Sequence, residues 1–304
     1  MEFIMLSKNK KSYTKAQRHL RGDRYDAKLV RDLPPLKTMM MHLMPKRTEA
    51  EVWLPDKLDV TELLKYVEKK KAANPDLKIT PFQCVIAALA RMAKERPLTN
   101  CFVQGRQLYE RNKITIGFVC KVKKEDDATE ELIIYTANDR DSLDDVCGKI
   151  TQKIKHAKEN AGHISTADSS MKKLARLPRG VLTVLFAILR KFDYFGADLS
   201  FLTDGDINYC SILVSNLGSV GMSSIYHHLN NYGTNSMVVT LGKIHKEEVI
   251  YPDGSREVRD LLDIGTTVDE RVADGFYYSQ CVILLKKIIE NPELLDIPLG
   301  TPLE

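Results

Sequence analysis

Apolar residues recur along this chain in two rhythms, and these divide it into strands and helices. Alternating or short β-branched runs predict strands at Glu51–Leu54, Ile114–Cys120, Leu132–Thr136, Tyr209–Val214 and Met237–Leu241. Spacings of three and four predict helices. Val85, Leu89 and Met92 share one stripe, and Leu143, Val146, Ile150 and Ile154 share another within Asp141 to Lys158. Further helix is predicted through Met171, Leu174 and residues 181–189, and a last one from Tyr277 to Ile289, ending before Asn291-Pro292.

Punctuation sharpens the boundaries. Asp59 or Thr61 supplies an N-cap to a helix with acids in its first turn, which Asn74-Pro75 breaks. Thr80-Pro81 opens the next helix and Arg96-Pro97 closes it. Gln104-Gly105-Arg106 and Tyr251-Pro252-Asp253-Gly254 each lie between strand-like segments and predict hairpins, while a charged loop from Lys123 to Glu131 joins two strands. Strands and helices alternate irregularly, with hairpins among them. The expected class is therefore α/β, a two-layer sandwich in which a mixed β-sheet is covered by helices. Neither a repeat nor a Gly/Ser/Pro-rich linker divides the chain, so residues 1–304 are read as one domain.

The longest apolar run, Val181 to Leu189, lies between Arg179 and Arg190 and falls short of the roughly 20 residues a membrane span needs. It is read as a buried helix. A subunit-interface or membrane-surface role is the alternative, because Lys172, Lys173, Arg176, Arg179, Arg190 and Lys191 flank it.

With 43% hydrophobic and 28% charged residues, the chain has the apolar content of an ordinary globular protein. The net charge of +4 is uneven: lysines and arginines from Lys8 to Arg31 crowd the first segment. Without interleaved aromatics or a base-reading motif, residues 1–30 are read as a solvated, flexible arm, and no nucleic-acid partner is expected. Six cysteines without a Cys-x-x-Cys pair fit a reducing cytoplasm and indicate no metal site. Met1–Leu6 leads straight into Lys8, Lys10 and Lys11, so no secretory signal is read.

Several segments carry chemistry. They are Leu58–Leu63, Ile79-Thr80-Pro81 leading to Ala87–Ala90, Arg96–Asn100, Val214-Ser215-Asn216-Leu217-Gly218-Ser219-Val220-Gly221, Val268–Gly275, and Glu290–Leu295. In that order they resemble the catalytic domain of the acyltransferase component of 2-oxoacid dehydrogenase complexes (the dihydrolipoamide acyltransferases), and through it the chloramphenicol acetyltransferase-like superfamily. The resemblance implies a homotrimer with active sites between subunits, a coenzyme A thioester as substrate and no permanently bound cofactor. It also implies a serine or threonine donor for the tetrahedral oxyanion and a histidine base in a His-x-x-x-Asp-Gly motif.

Carried over position by position, Ser215 matches the oxyanion donor, Asp274 the motif aspartate and Gly275 the glycine that turns into the last helix. Asn216 and Gly218 fall in the substrate-binding segment. Glu270 stands where the histidine belongs. A carboxylate titrates roughly four units below a thiol, so a glutamate on the surface is a poor base for one, whereas burial in an apolar tunnel raises a carboxylate toward it. Arg271 would oppose that if turned inward, and strand alternation is expected to point it elsewhere. Secondary base candidates are His227 and His228, with His42 a weaker one. Two departures stand out: Glu131–Thr136 lacks the family's glycine and proline, and the connection from the Asp141 helix to Ser215 is longer than usual.

The expected function is a stand-alone CoA-thioester-dependent acyltransferase. The rival expectation is a catalytically inactive homologue acting as a CoA-binding, ligand-binding or protein-interaction module. No lipoyl or peripheral-subunit-binding module is read in the chain, so a separate lipoyl protein is the partner the resemblance suggests.

Overall fold

The computed structural model describes residues 22–121, 130–159 and 176–303. Its centre is a six-stranded mixed sheet in the order β2-β9-β8-β7-β5-β6. The strands are β2 (Glu51–Asp59), β5 (Thr115–Lys121), β6 (Glu130–Thr136), β7 (Ile212–Asn216), β8 (Met237–Ile250) and β9 (Arg256–Asp269). β7 runs parallel to β5 and β8, and the other pairs are antiparallel. A smaller sheet, β1-β4-β3, is built from β1 (Ala27–Leu29), β3 (Cys101–Gln104) and β4 (Gln107–Arg111). Gly105 and Arg106 both take positive φ at the β3–β4 turn, as a two-residue hairpin of the favoured hand requires.

One face of the large sheet is covered by α2 (Thr61–Ala73), α3 (Pro81–Glu95), α4 (Leu143–Glu159) and α6 (Gly275–Glu290), with α1 (Pro35–Leu43) preceding β2 in the chain. Every residue of α3 from Gln83 to Ala93 is buried, which makes it the central helix of this layer. Thr80 caps it by accepting the Gln83 N–H at 3.3 Å. At the start of α2 the N-cap position is Val60, which has no side-chain cap, so the N-cap expected at Asp59 or Thr61 is corrected; Asp59, one residue earlier, accepts the Thr61 N–H at 2.9 Å. Ile212, Val214, Val239, Leu241, Ile264 and Val268 alternate inward onto the helices. The intervening residues, Ser215 and Thr240 among them, therefore face the other side of the sheet.

That second side is crossed by residues 221–236, which have no regular structure. Thr240 Oγ1 hydrogen-bonds the Ile225 carbonyl, and a Cβ on Gly265 would lie 2.3 Å from the same oxygen. Glycine at 265 thus lets this segment lie directly on the strands.

Three further expectations are corrected. The strand expected from Tyr209 starts at Ile212, because Asp206 accepts the Asn208 N–H at 2.9 Å and winds Ile207–Tyr209 into a 3₁₀ turn. The helix α5 (Arg179–Tyr194) forms where the apolar run predicts it, yet it is not buried. Val181, Val184, Ile188 and Phe192 are each about half exposed, and Asp193 is the buried residue of the helix. The last residues of the basic lead are docked rather than free: β1 pairs with β4, and Arg24 is buried against Asp193 at 2.9 Å. The helix expected at Met171 and Leu174 lies outside the described residues, as do residues 1–21 of the arm and 122–129 of the charged loop.

Candidate active site

Ser215 is at the C-terminal end of β7, half-buried on the side of the sheet away from the helices. Asn216 accepts the Ser219 N–H at 3.3 Å and closes a 3₁₀ turn over Leu217–Val220. Gly218 is required there, because a Cβ would come within 2.3 Å of the Gly242 carbonyl oxygen. Both residues hold the turn that follows Ser215.

Glu270 follows β9 in a turn rather than lying in the strand. The turn is pinned on all sides. The Glu270 N–H donates to the Ala50 carbonyl at 3.0 Å, and Asp269 N–H to Ser236 at 3.1 Å. Tyr278 O–H reaches the Asp269 carbonyl at 3.1 Å.

Arg271 is turned inward, but toward Asp269. Its Nε and Nη2 grip the two carboxylate oxygens at 2.8 and 2.5 Å, and its Nη1 donates to Met44 at 2.8 Å. Both side chains are essentially out of solvent. Arg271 is therefore committed to Asp269, while the half-buried Glu270 carboxylate has no ion pair or hydrogen bond among the described residues.

Asp274 caps α6, accepting the Tyr277 N–H at 2.8 Å. Gly275 opens that helix, and a Cβ there would meet no atom within 4 Å. This corrects the expected need for a glycine: the turn into α6 rests on the Asp274 cap.

His227 and His228 are exposed, and their rings stack with centroids 4.7 Å apart. They lie between Ile225, above Thr240, and Leu229, whose N–H donates to Glu51 at 2.6 Å. Glu51 is in register with Asp269, so the pair sits toward the Glu270 end of the sheet.

Within one chain the structure does not bring Ser215 and Glu270 together. Ser215 is in register with Thr240, and Thr240 with Gly265. Glu270 is five residues beyond Gly265, roughly 17 Å farther along the strand direction at 3.3 Å per residue. Among the described residues, no group of His, Cys, Asp or Glu is arranged to hold a metal ion. Nor is any described helix long and apolar enough to cross a membrane.

Five arginines are buried among the described residues, Arg24, Arg47, Arg91, Arg111 and Arg271. Of these only the orientation of Arg271 was weighed from the sequence, and arginines in polar segments read as solvated. Asp193, the one acid in the otherwise apolar stretch of α5, was the available signal for the pair that holds Arg24.

The model of the family "2-oxoacid dehydrogenases acyltransferase (catalytic domain)" matches residues 200–297. Among solved structures, the cubic core of a pyruvate dehydrogenase multienzyme complex is 16% identical with a TM-score of 0.58, covering 88% of this chain and 93% of that one. A probable dihydrolipoamide acetyltransferase from Listeria monocytogenes is 18% identical (TM-score 0.56, 86% and 95% covered). The dihydrolipoamide acetyltransferase of Azotobacter vinelandii is 16% identical (TM-score 0.57, 88% and 93% covered). At these identities the structures show a shared fold, that of an acyltransferase core. The family model covers the segment that holds Ser215 and Glu270, so residues 200–297 resemble the 2-oxoacid dehydrogenase acyltransferase catalytic domain in sequence, and the chain shares the fold of such cores.

Proposed function

We propose that the protein is an acyltransferase using CoA thioesters, whose active site forms between protomers of a homotrimer, Ser215 of one chain facing Glu270 of the next. The observation that carries this reading is the separation of the two residues along the sheet. Each lies in a segment held by its own hydrogen bonds, but one chain cannot close a site with both. The Azotobacter vinelandii enzyme was studied for the role of a serine, a histidine and an asparagine in its catalytic mechanism, the last two spaced as Glu270 and Asp274 are.

In this reading Glu270 takes the proton of the attacking thiol. The thiolate attacks the thioester carbonyl, and the Ser215 hydroxyl donates to the developing oxyanion, a contact worth a few kcal/mol in a dry site. Collapse expels the CoA thiolate, which recovers the proton. Asp274 acts through the loop, as the cap that holds Glu270's turn on α6. A separate lipoyl protein is the acceptor class that the family relationship suggests, and cytoplasmic location follows from the same relationship.

The test is release of free CoA, resolved by chromatography, from acetyl-CoA and longer acyl-CoAs with dihydrolipoamide as the acceptor thiol across pH, with the natural chain, Ser215→Ala, Glu270→Gln and Glu270→His. Release that both Ser215→Ala and Glu270→Gln abolish supports the reading. Release that survives Glu270→Gln transfers the base role to His227 or His228. Silence in the natural chain, relieved by Glu270→His, replaces the reading with that of an inactive homologue that retains the binding site.

A further inference from the structure

A cleft of about 240 Å³ lies between α5, the β3–β4 turn and the loop at Asn231–Gly233. One wall is supplied by α5, which lies outside the residues the family model matches. Neither Ser215 nor Glu270 lines it. Its charge is lopsided. Lys46, Arg47, Arg106, Arg190 and Arg271 face Asp193 alone.

Three of these charges are already answered inside the protein, Arg271 by Asp269, Asp193 by Arg24 and Lys46 by Glu49 at 3.4 Å. Arg47 is not. It is only 4% exposed, donates Nη2 to the Val103 carbonyl at 2.7 Å and to Gln104 at 3.1 Å, and leaves Nε without a partner. No carboxylate among the described residues forms an ion pair with it. Burial pushes its pKa down to about 10, and the acid that acts on it most strongly, Asp269, is shared with Arg271. A buried cation without a counter-ion is costly, and proteins seldom keep one unless something binds it. At the rim, Arg106 and Arg190 are exposed and also lack a carboxylate partner among the described residues. Tyr209 and Tyr232 meet edge to face at 5.7 Å on one side, and Leu189 and Leu202 supply apolar surface on the other.

We propose that this cleft is a second ligand site, distinct from the acyl-transfer site, and that it takes a small organic anion: a carboxylate or phosphate monoester on an apolar or aromatic body. The anionic group sits at Arg47 beneath the Arg106 and Arg190 rim. The body lies between the tyrosines and the leucines of and after α5. The long connection that carries α5 is thereby explained as the wall of this site.

The test is calorimetric titration of the full chain at constant ionic strength with benzoate and phenyl phosphate, against neutral benzamide and benzyl alcohol. At least one anion is expected to bind saturably, about tenfold or more tighter than its neutral counterpart, and the preferred anion distinguishes a carboxylate from a phosphate ligand. Arg47→Met is expected to weaken that binding about tenfold or more. Because Arg47 also holds β3, Arg190→Glu on the exposed face of α5 provides an independent variant, expected to weaken binding about twofold to fivefold. Ser215→Ala is expected to bind the anion as the natural chain does, so loss of acyl transfer and loss of this site are read separately. The proposal is overturned if neutral and anionic probes bind alike, if no anion gives saturable heat, or if Arg190→Glu leaves binding unchanged. It is equally overturned if CoA displaces the anion, since the cleft would then belong to the acyl-donor site.

Discussion

Asp269→Ala is the most informative single perturbation of the motif loop. The Asp269 carboxylate has no solvent exposure and accepts from Arg271 Nε at 2.8 Å, from Nη2 at 2.5 Å and from the Arg271 N–H at 3.1 Å. Its removal leaves a guanidinium that is 2% exposed with one remaining partner, the Met44 carbonyl. Breaking a buried pair from one side costs about 3–5 kcal/mol, chiefly through the stranded charge, whereas replacing both partners by apolar groups is close to neutral. Asp269→Ala is therefore expected to cost about 3–5 kcal/mol, and Asp269→Ala/Arg271→Met to recover about 2 kcal/mol or more of that. Equilibrium denaturation at fixed protein concentration measures both. The single tryptophan, Trp53, reports from β2 in register with Thr267, two residues from the pair. If the double variant is no more stable than Asp269→Ala, or if Asp269→Ala costs under about 1 kcal/mol, the stranded-charge reasoning is wrong.

Four further outcomes follow from the same structure. Asp274→Ala removes the α6 cap and is expected to cost about 1 kcal/mol, with Asp274→Asn restoring most of it; amide exchange at Tyr277 is the local readout. Gly218→Ala is expected to destabilise by about 1–3 kcal/mol because its Cβ meets the Gly242 carbonyl. Gly275→Ala, where a Cβ meets nothing, is expected to be neutral or stabilising by up to about 1 kcal/mol, and melting curves of the two variants separate these outcomes. A disulfide exchange reagent at pH 8 is expected to titrate Cys120 in the native protein before the buried thiols, and all six cysteines after denaturation. Burial pushes Cys210 up to about 11 and Cys101, Cys147 and Cys281 to about 12, so they remain thiols at that pH, and the thiolate is the reactive form.

The elements that announced themselves were those whose signals are local. Thr80-Pro81 and Arg96-Pro97 bracket α3 because capping and the missing proline N–H act within one turn of helix. Gly105 marks the β3–β4 hairpin because positive φ is a property of single residues. What stayed hidden depends on partners distant in sequence. The apolar run of α5 reads as core by composition, yet its packing is decided by whether another layer covers it. Arg24 and Asp193 look like a solvated arm and a stray acid until folding places them 2.9 Å apart. The candidate site divides in the same way. Pattern alone proposes Ser215, Glu270 and Asp274, but the separation of Ser215 from Glu270 within one chain is a consequence of strand register.

A glutamate at 270, where the resemblance implies a histidine, changes the charge bookkeeping of the proposed reaction, and this has a kinetic signature. A histidine base and a neutral thiol become an ion pair on proton transfer. A glutamate and a thiol keep a single negative charge that moves from carboxylate to sulfur and then to the oxyanion near Ser215. With Asp269 and Arg271 neutralising each other behind the loop, no cation among the described residues of the same chain forms an ion pair with Glu270 to assist that movement. The reaction then leans on the Ser215 hydroxyl and on the dryness of the interface between protomers. A histidine base imposes an inflection near its ordinary value of about 6.5 on the pH–rate profile, and Glu270→His is expected to introduce one. Any acid-limb inflection of the natural chain is expected to persist in His227→Ala and His228→Ala. A histidine-like inflection in the natural chain that disappears with His227→Ala or His228→Ala would remove Glu270 from the role of base.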